Sequence, residues 1–186
     1  MTVDQEIEKL KTGIFSDDWD KMKESSNRLF EIGGQENVDY LIGLLDQSNP
    51  LVRNAVALTF MDNKFNDALE PLLKSIIKEE NRNARGTMVY ALEELDCKNK
   101  LKELFDILFT AAKNAEVQTG ILTVLDEQEF EFTKDDLIEI QEKWERLKDD
   151  WNELNGINKG KVKDYEIDKE TIQNFVDGYV SYLKRG

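Results

Sequence analysis

Histidine is absent from this chain of 186 residues, and cysteine occurs only once. Without histidine, the chain lacks the commonest general base and the commonest metal ligand of proteins. Structural zinc sites are built from cysteine and histidine ligands, so Cys97 alone cannot supply one. A lone cysteine also has no disulfide partner within the chain, so cysteine usage does not indicate an oxidising compartment. We expect no metal site, no cofactor and no catalytic thiolate, because no histidine can activate Cys97.

Proline and long apolar runs are also scarce. Only two prolines occur and 40% of the residues are hydrophobic, which favours an ordered, helix-rich body. No stretch approaches the roughly 18 apolar residues that a membrane span needs. Residues 1–6 have neither the basic flank nor the apolar core of a signal peptide. We therefore expect one continuous cytoplasmic domain that does not contact a membrane.

Basic residues are outnumbered, since 39 Asp and Glu stand against 25 Lys and Arg, for a net charge of −14. Phosphate backbones are bound by clustered Lys and Arg, so nucleic acid is an unfavourable partner. Complementary charge speeds and orients the encounter of two proteins, so the excess favours a basic protein partner.

A short sequence motif recurs along the chain. In each copy, an apolar helical stretch ends at Asp or Gly. It occurs at residues 59–62, 93–96 and 123–126, and a degenerate copy occurs at 30–33. The copies end 29 residues apart (33 to 62), 34 apart (62 to 96) and 30 apart (96 to 126). Such a period is typical of stacked supersecondary units. Arrays of this kind expose a long surface and carry no inherent active site, so the repeats predict a binding scaffold.

Apolar residues at helical spacing predict a series of antiparallel helix pairs up to residue 126. Residues 2–12 form a predicted first helix, and Ser16 is the predicted cap of the second. Asn49 is the predicted cap of the second pair. Pro50 follows it at the first helical position, where the missing N–H costs nothing.

The segment 44–58, Leu-Leu-Asp-Gln-Ser-Asn-Pro-Leu-Val-Arg-Asn-Ala-Val-Ala-Leu, resembles the core of a HEAT repeat. In that family one helix ends in a Leu-Leu-x-Asp-like turn, and the next opens with Val-Arg and an Ala-rich stripe. The resemblance covers residues 16 to 126, and the short steps are similar to those of phycobilisome-lyase-type repeats. It implies an all-α fold, a short right-handed solenoid of antiparallel helix pairs. We expect Arg53 and Arg85 to bridge neighbouring repeats through carboxylates or helix-end carbonyls.

The C-terminal third differs in character. Thr133 and Asp136 form a predicted capping box, and Asp168 is the predicted cap of a last helix. Between them, apolar residues spaced three and four apart predict one long helix with an a/d seam. We expect residues 127–186 to form an acidic helix pair that caps the repeats of residues 1–126. The seam could also form the interface of a dimer, so the chain is expected to be either a monomer or a weak homodimer. Its members are Leu137, Ile140, Trp144, Leu147, Trp151 and Leu154.

Acidic residues concentrate between Asp126 and Glu153, where twelve carboxylates against four Lys and Arg give −8 of the −14. Their spacing lacks the alternating ligands and central glycine of an EF-hand loop. Two interpretations remain: a solvated surface, or a docking face for a basic partner. We call these candidate residues the acidic face: Asp135, Asp136, Glu139, Glu142, Glu145, Asp149 and Asp150.

A second candidate site is a groove lined by the second helix of each pair. Its predicted partner contacts are Glu70, Lys74, Lys78, Lys102 and Asp106. Aromatic residues near helix starts and turns are expected to be core plugs, with one or two available as interface anchors; they are Trp19, Phe65, Phe130 and Phe132. Residues 156–161 superficially resemble a phosphate loop but are one residue short between the glycines. They also precede Val162 where Ser or Thr is required.

The sequence therefore predicts a non-catalytic protein–protein interaction module, which is a scaffold or an adaptor. A sharper alternative is an immunity or inhibitor protein that neutralises a basic toxin such as a nuclease, since charge steering gives fast capture. An enzyme is a further alternative, because HEAT-like folds include alkylpurine DNA glycosylases and bilin lyases. A glycosylase needs a basic duplex-binding face, which the net charge opposes, and no residue set suggests a lyase.

Overall fold

The computed structural model describes residues 2–157 and 167–184. Every regular element in those ranges is a helix, with eleven α-helices, several short 3-10 turns and no strand. The predicted all-α fold is therefore confirmed. None of the helices in these ranges is long and apolar enough to cross a membrane.

The chain packs as two compact units, Met1–Asp96 (unit 1) and Cys97–Gly186 (unit 2). The division predicted at residue 126, between helical repeats and an acidic helix pair, stays a prediction.

Unit 1 contains six α-helices joined by short turns. Helix α2 packs against both α1 and α4, and α3 packs against α2 and α4. Three 3-10 turns, at Asn66–Ala68, Glu79–Asn81 and Ala91–Glu94, complete the unit. The helices are α1 (Val3–Gly13), α2 (Trp19–Ile32), α3 (Gln35–Leu44), α4 (Pro50–Asp62), α5 (Leu69–Ile77) and α6 (Gly86–Tyr90).

The helix starts of unit 1 follow from side chains that bind free N–H groups. Asn49 accepts from the Leu51 N–H and Pro50 opens α4, as predicted. The cap predicted at Ser16 is wrong, because α2 begins two residues later. Asp18 accepts from the N–H groups of residues 20 and 21, at 3.0 and 3.2 Å. The Ser16 hydroxyl instead accepts from the Asp18 N–H at 3.2 Å.

Unit 2 contains five α-helices. Helix α7 packs against α8 and α9, and α11 packs against α9. The predicted caps are confirmed at Thr133, which accepts from the Asp136 N–H, and at Asp168, which accepts from the Thr171 N–H. The helices are α7 (Leu101–Thr110), α8 (Ala115–Glu127), α9 (Lys134–Leu147), α10 (Trp151–Leu154) and α11 (Lys169–Val180).

The single long helix predicted for the a/d seam is wrong. Helix α9 ends at Leu147, and α10 begins only at Trp151. The Trp144 and Trp151 rings, on either side of this break, lie 5.5 Å apart between centroids, edge to face. The far end of the seam is not buried, since Leu154 is 44% exposed.

Candidate functional site

The acidic face begins at the first turn of α9. The Thr133 N–H and hydroxyl both donate to one carboxylate oxygen of Asp136 at 2.8 Å. These two donors hold the pKa of Asp136 below its ordinary value, because they stabilise the charged form. Asp136 therefore acts as a capping residue within unit 2.

Helical periodicity places the rest of the face away from the core. Leu137, Ile140 and Trp144 of α9 are buried, so the carboxylates on the opposite side point outward. These exposed acidic residues are Asp135, Glu139, Glu142, Glu145, Asp149 and Asp150.

Neighbouring cations neutralise much of the acidic face. Glu142 pairs with Arg146 at 3.1 Å, and Asp149 pairs with Lys169 at 2.8 Å. Glu145 pairs with Lys148 on the same helix end. Asp135 and Asp150 form no such ion pair among the described residues, so they are the carboxylates most available to a partner.

Two of the predicted groove residues join an ion network between α7 and α9. Lys143 Nζ lies 2.6 Å from Asp106 Oδ1, and Lys102 Nζ lies 3.5 Å from Asp106 Oδ2. Lys102 Nζ also lies 3.4 Å from Glu139 Oε2. Burial acts to lower the pKa of Lys102, but Asp106 and Glu139 outweigh it and the pKa is raised. The charges of the two cations and two carboxylates sum to zero. The ion pairs between them join α7 to α9.

The other predicted groove residues belong to unit 1. Glu70 and Lys74 are exposed on α5. Lys78 follows the end of α5 and pairs with Asp46. The structure thus places Glu70, Lys74 and Lys78 on unit 1 and Lys102 and Asp106 on unit 2.

Unit 2 also contains a concave site that the sequence did not predict. We call it the aromatic cleft; its volume is about 710 Å³. It forms where the segment after α8 meets α11. The lining residues are Leu125, Asp126, Gln128, Glu129, Phe130, Phe132, Asn174, Phe175, Gly178, Tyr179 and Tyr182.

Tyr179 organises the aromatic cleft. Its ring makes edge-to-face contacts with Phe130, Phe132 and Phe105, at centroid distances of 6.1, 6.0 and 5.7 Å. Its hydroxyl donates to the Leu125 carbonyl at 2.7 Å, which ties α11 to α8. Burial, with smaller effects of nearby acidic groups, raises the pKa of Tyr179 to about 12.

The rim of the aromatic cleft is acidic. Asp126 and Glu129 are exposed there, and none of the described lining residues is basic. Tyr182 is 51% exposed, and Phe130 and Phe132 are half-buried, so aromatic surface is open to a ligand. The arrangement combines accessible rings with two negative charges.

The sequence contained part of the signal for this site. Phe130 and Phe132 are among the predicted interface anchors. Spacing alone could not predict that the segment after α8 would meet α11, because the two are about 50 residues apart in the chain.

Residues 158–161 of the phosphate-loop-like segment lie outside the described residues. Among the described residues, no group of three or more Cys, Asp or Glu side chains is placed to hold a metal ion.

No protein-family model matches the chain, and neither a curated protein nor a solved structure matches it. The resemblance to HEAT repeats therefore depends on the residues quoted above.

Proposed function

We propose that this protein is a non-catalytic interaction module that binds a basic protein partner through unit 2. The proposal is based on the difference between the two sides of α9. Its apolar stripe is buried, and its outer side presents a row of exposed carboxylates. Ion pairing within the chain reduces this charge, but exposed pairs are weak and exchange readily for those of a partner.

We further propose that unit 1 consists of stacked HEAT-like repeats, as in a short right-handed solenoid. Several hydrogen bonds join residues about one period apart. The Ser75 hydroxyl donates to the Leu45 carbonyl at 2.7 Å, 30 residues away. The Thr59 hydroxyl donates to Ser26 Oγ at 2.8 Å, 33 residues away. These separations fall within the sequence steps of 29 to 34, so they support units stacked in register.

The test of the binding proposal is affinity capture from the lysate of the source organism, at about 50 and 300 mM salt. The bait is compared with a variant carrying Glu139→Gln, Glu142→Gln and Glu145→Gln. We expect the unaltered chain to capture a basic protein in stoichiometric amount, less at the higher salt because screening weakens charge attraction. The variant should capture much less.

A matched control carries Glu8→Gln, Glu24→Gln and Glu36→Gln on unit 1, so its net charge equals that of the first variant. All three residues are exposed. The control should capture the partner as the unaltered chain does. Equal losses in the two variants would mean that total charge, and not the α9 face, drives binding. Capture of nothing at either salt would contradict the proposal.

An inhibitor of a basic toxin is the specific alternative favoured by the net charge of −14. Charge steering would then give an association rate that falls steeply with ionic strength. Stopped-flow measurement with the captured partner tests this version, and an association rate independent of salt would contradict it.

A further inference from the structure

The aromatic cleft of unit 2 is separate from the row of carboxylates on α9, and its chemistry is different. Five of its lining residues are aromatic, and its two charged lining residues are both acidic. We propose that this cleft receives an arginine side chain of the basic partner segment. The inference rests on the proposed function and names the anchor residue of that partner.

The electrostatic character of the cleft favours a cation. The face of an aromatic ring carries a partial negative charge that attracts a cation within about 6 Å of the ring centre. Asp126 and Glu129 add two full negative charges at the rim. An anionic ligand would meet repulsion from the rim, and a neutral apolar ligand would gain no attraction from it.

The shape of arginine also fits the cleft. Its planar guanidinium can stack on an aromatic ring while its edge donates to a carboxylate. The cleft has both kinds of surface, since Tyr182 is half exposed and Asp126 and Glu129 line the same cleft. A lysine ammonium is compact and strongly hydrated, so it makes less use of the ring surface.

The walls of the cleft are held in place by contacts within unit 2. Phe132 contacts the rings of Tyr179 and Tyr182, at centroid distances of 6.0 and 5.5 Å. The Tyr179 hydroxyl is bound to the Leu125 carbonyl, which orients the ring. A wall ordered before binding loses little conformational entropy when the ligand arrives.

Gly178 allows the cleft to be filled without removing any existing contact. It lies within α11 and lines the cleft, and a Cβ atom built there meets no atom within 4 Å. Gly178→Leu should therefore occupy the cleft. Gly43 lies within α3 of unit 1, and a Cβ atom there also meets nothing within 4 Å. Gly43→Leu is the matched control.

The experiment measures binding of fluorescein-labelled peptides to the full-length chain by fluorescence anisotropy. The probe has four Gly-Arg repeats, and the comparison peptides have Gly-Lys, Gly-citrulline or Gly-Leu repeats. Citrulline has nearly the shape of arginine without its charge. We expect the arginine peptide to bind at least tenfold more tightly than the citrulline peptide and severalfold more tightly than the lysine peptide.

The variants then locate the site. Gly178→Leu should weaken binding of the arginine peptide at least tenfold, and Gly43→Leu should change it less than twofold. Asp126→Asn with Glu129→Gln keeps the cleft shape and should weaken binding severalfold. A thermal midpoint of Gly178→Leu at or above that of the unaltered chain would show that the variant is folded, because leucine favours helix over glycine.

Equal binding of the arginine and citrulline peptides, or no effect of Gly178→Leu, would overturn the inference. Tighter binding of the Gly-Leu peptide would assign the cleft to an apolar segment instead. Self-association of the chain, abolished by Gly178→Leu in sedimentation, would assign it to a second copy. The proposed function fails separately: the Glu139, Glu142 and Glu145 variant would then capture the partner undiminished, whatever the cleft binds.

Discussion

Units 1 and 2 are both all-helical, but they are held together differently. Of the nine buried polar or charged residues described, eight belong to unit 1. In unit 2, among the described residues, Gln118 alone is of this kind. The eight in unit 1 are Ser25, Ser26, Asn37, Arg53, Thr59, Ser75, Asn81 and Arg85.

The buried arginines of unit 1 bind main-chain carbonyls. Arg53 donates to the carbonyls of Gln47 and Ser48, and Arg85 donates to the carbonyl of Ile76 at 3.1 Å. Arg85 has the predicted helix-end carbonyl, since Ile76 lies in the last turn of α5, whereas the two carbonyls bound by Arg53 lie in the turn between α3 and α4. Burial lowers the pKa of both arginines. The Arg85 bond satisfies an acceptor that a helix end leaves free.

Unit 2 contains a chain of aromatic contacts that is longer than the cluster of Phe30, Phe60 and Phe65 in unit 1. Phe105 contacts Phe109 at 5.6 Å between ring centroids, and Phe109 stacks on Trp144 at 5.8 Å. Trp144 then contacts Trp151. Tyr179 connects the other end of the chain to the cleft, through its contact with Phe105.

This difference bears on which unit can present a surface to a ligand. Hydrogen bonds to carbonyls are directional, so they fix the relative position of the groups that they join. Ring contacts tolerate a wider range of geometries, so a cluster of rings can leave a concave surface open to a ligand. The proposed arginine site accordingly lies among the rings of unit 2.

The largest expected effect on stability comes from removing a ring from the aromatic contacts of unit 2. Trp144→Ala removes a fully buried ring between Phe109 and Trp151, so we expect a loss of about 3–5 kcal/mol in the free energy of unfolding. Urea unfolding followed by circular dichroism measures it. Trp144→Phe keeps an aromatic ring and should lose clearly less. Equal losses would show that ring packing does not hold unit 2.

The buried arginines should give the next largest effect. Arg53→Ala leaves two carbonyls near the start of α4 without their donor, and we expect a loss of about 2 kcal/mol in urea unfolding. The control is Arg82→Ala, since the Arg82 side chain is 51% exposed and pairs with Glu79. It should change stability by less than about 0.5 kcal/mol. A loss for Arg53→Ala no larger than for the control would remove the contrast between the units.

A pH dependence should distinguish the tyrosine of the cleft. The pKa of Tyr179 is raised to about 12 in the folded chain, above its ordinary value of 10.0. The unfolded chain therefore releases the phenol proton first, and stability falls as the pH rises from about 10 to 12. Because Tyr179 is only half-buried, solvent screening limits the effect to about 1 kcal/mol.

Tyr179→Phe is the comparison for this prediction, measured by urea unfolding at pH 9 and at pH 12. The unaltered chain should lose about 1 kcal/mol more than the variant between these pH values. Lysines titrate equally in both chains and cancel in the difference. Parallel pH profiles would contradict the tyrosine assignment.

The smallest effect is expected at the surface of α9. Glu142 and Arg146 lie 3.1 Å apart, with side chains 60% and 72% exposed. A double-mutant cycle with Glu142→Gln and Arg146→Gln should give a coupling below about 0.5 kcal/mol, because solvent screens exposed pairs. A coupling above 1 kcal/mol would mean that the acidic face stabilises the fold.

Much of the local structure could be predicted from a few residues. Asn49 with Pro50, and Thr133 with Asp136, mark helix starts correctly because capping joins residues two or three apart. The cap at Ser16 was misplaced because Asp18 competes for the same helix start with two bonds. The break after Leu147 was missed because the spacing of the seam continues through it.

Only the charge of the candidate site could be predicted from the sequence. The residues of the acidic face were identified from composition, and the structure places most of them on the outer side of α9. Their pairing with cations, and the network of Asp106 with Lys102 and Lys143, depend on which helices meet. The groove contacts and the partner class remain predictions.

By itself the sequence determined the helical class, the capping residues and the negative charge, because each depends on composition or on neighbours within one turn. Tertiary structure alone decided the break between α9 and α10, the carbonyl partners of the arginines and the aromatic cleft. Each of these depends on groups brought together by packing, and packing energy is shared among many contacts that no single spacing records.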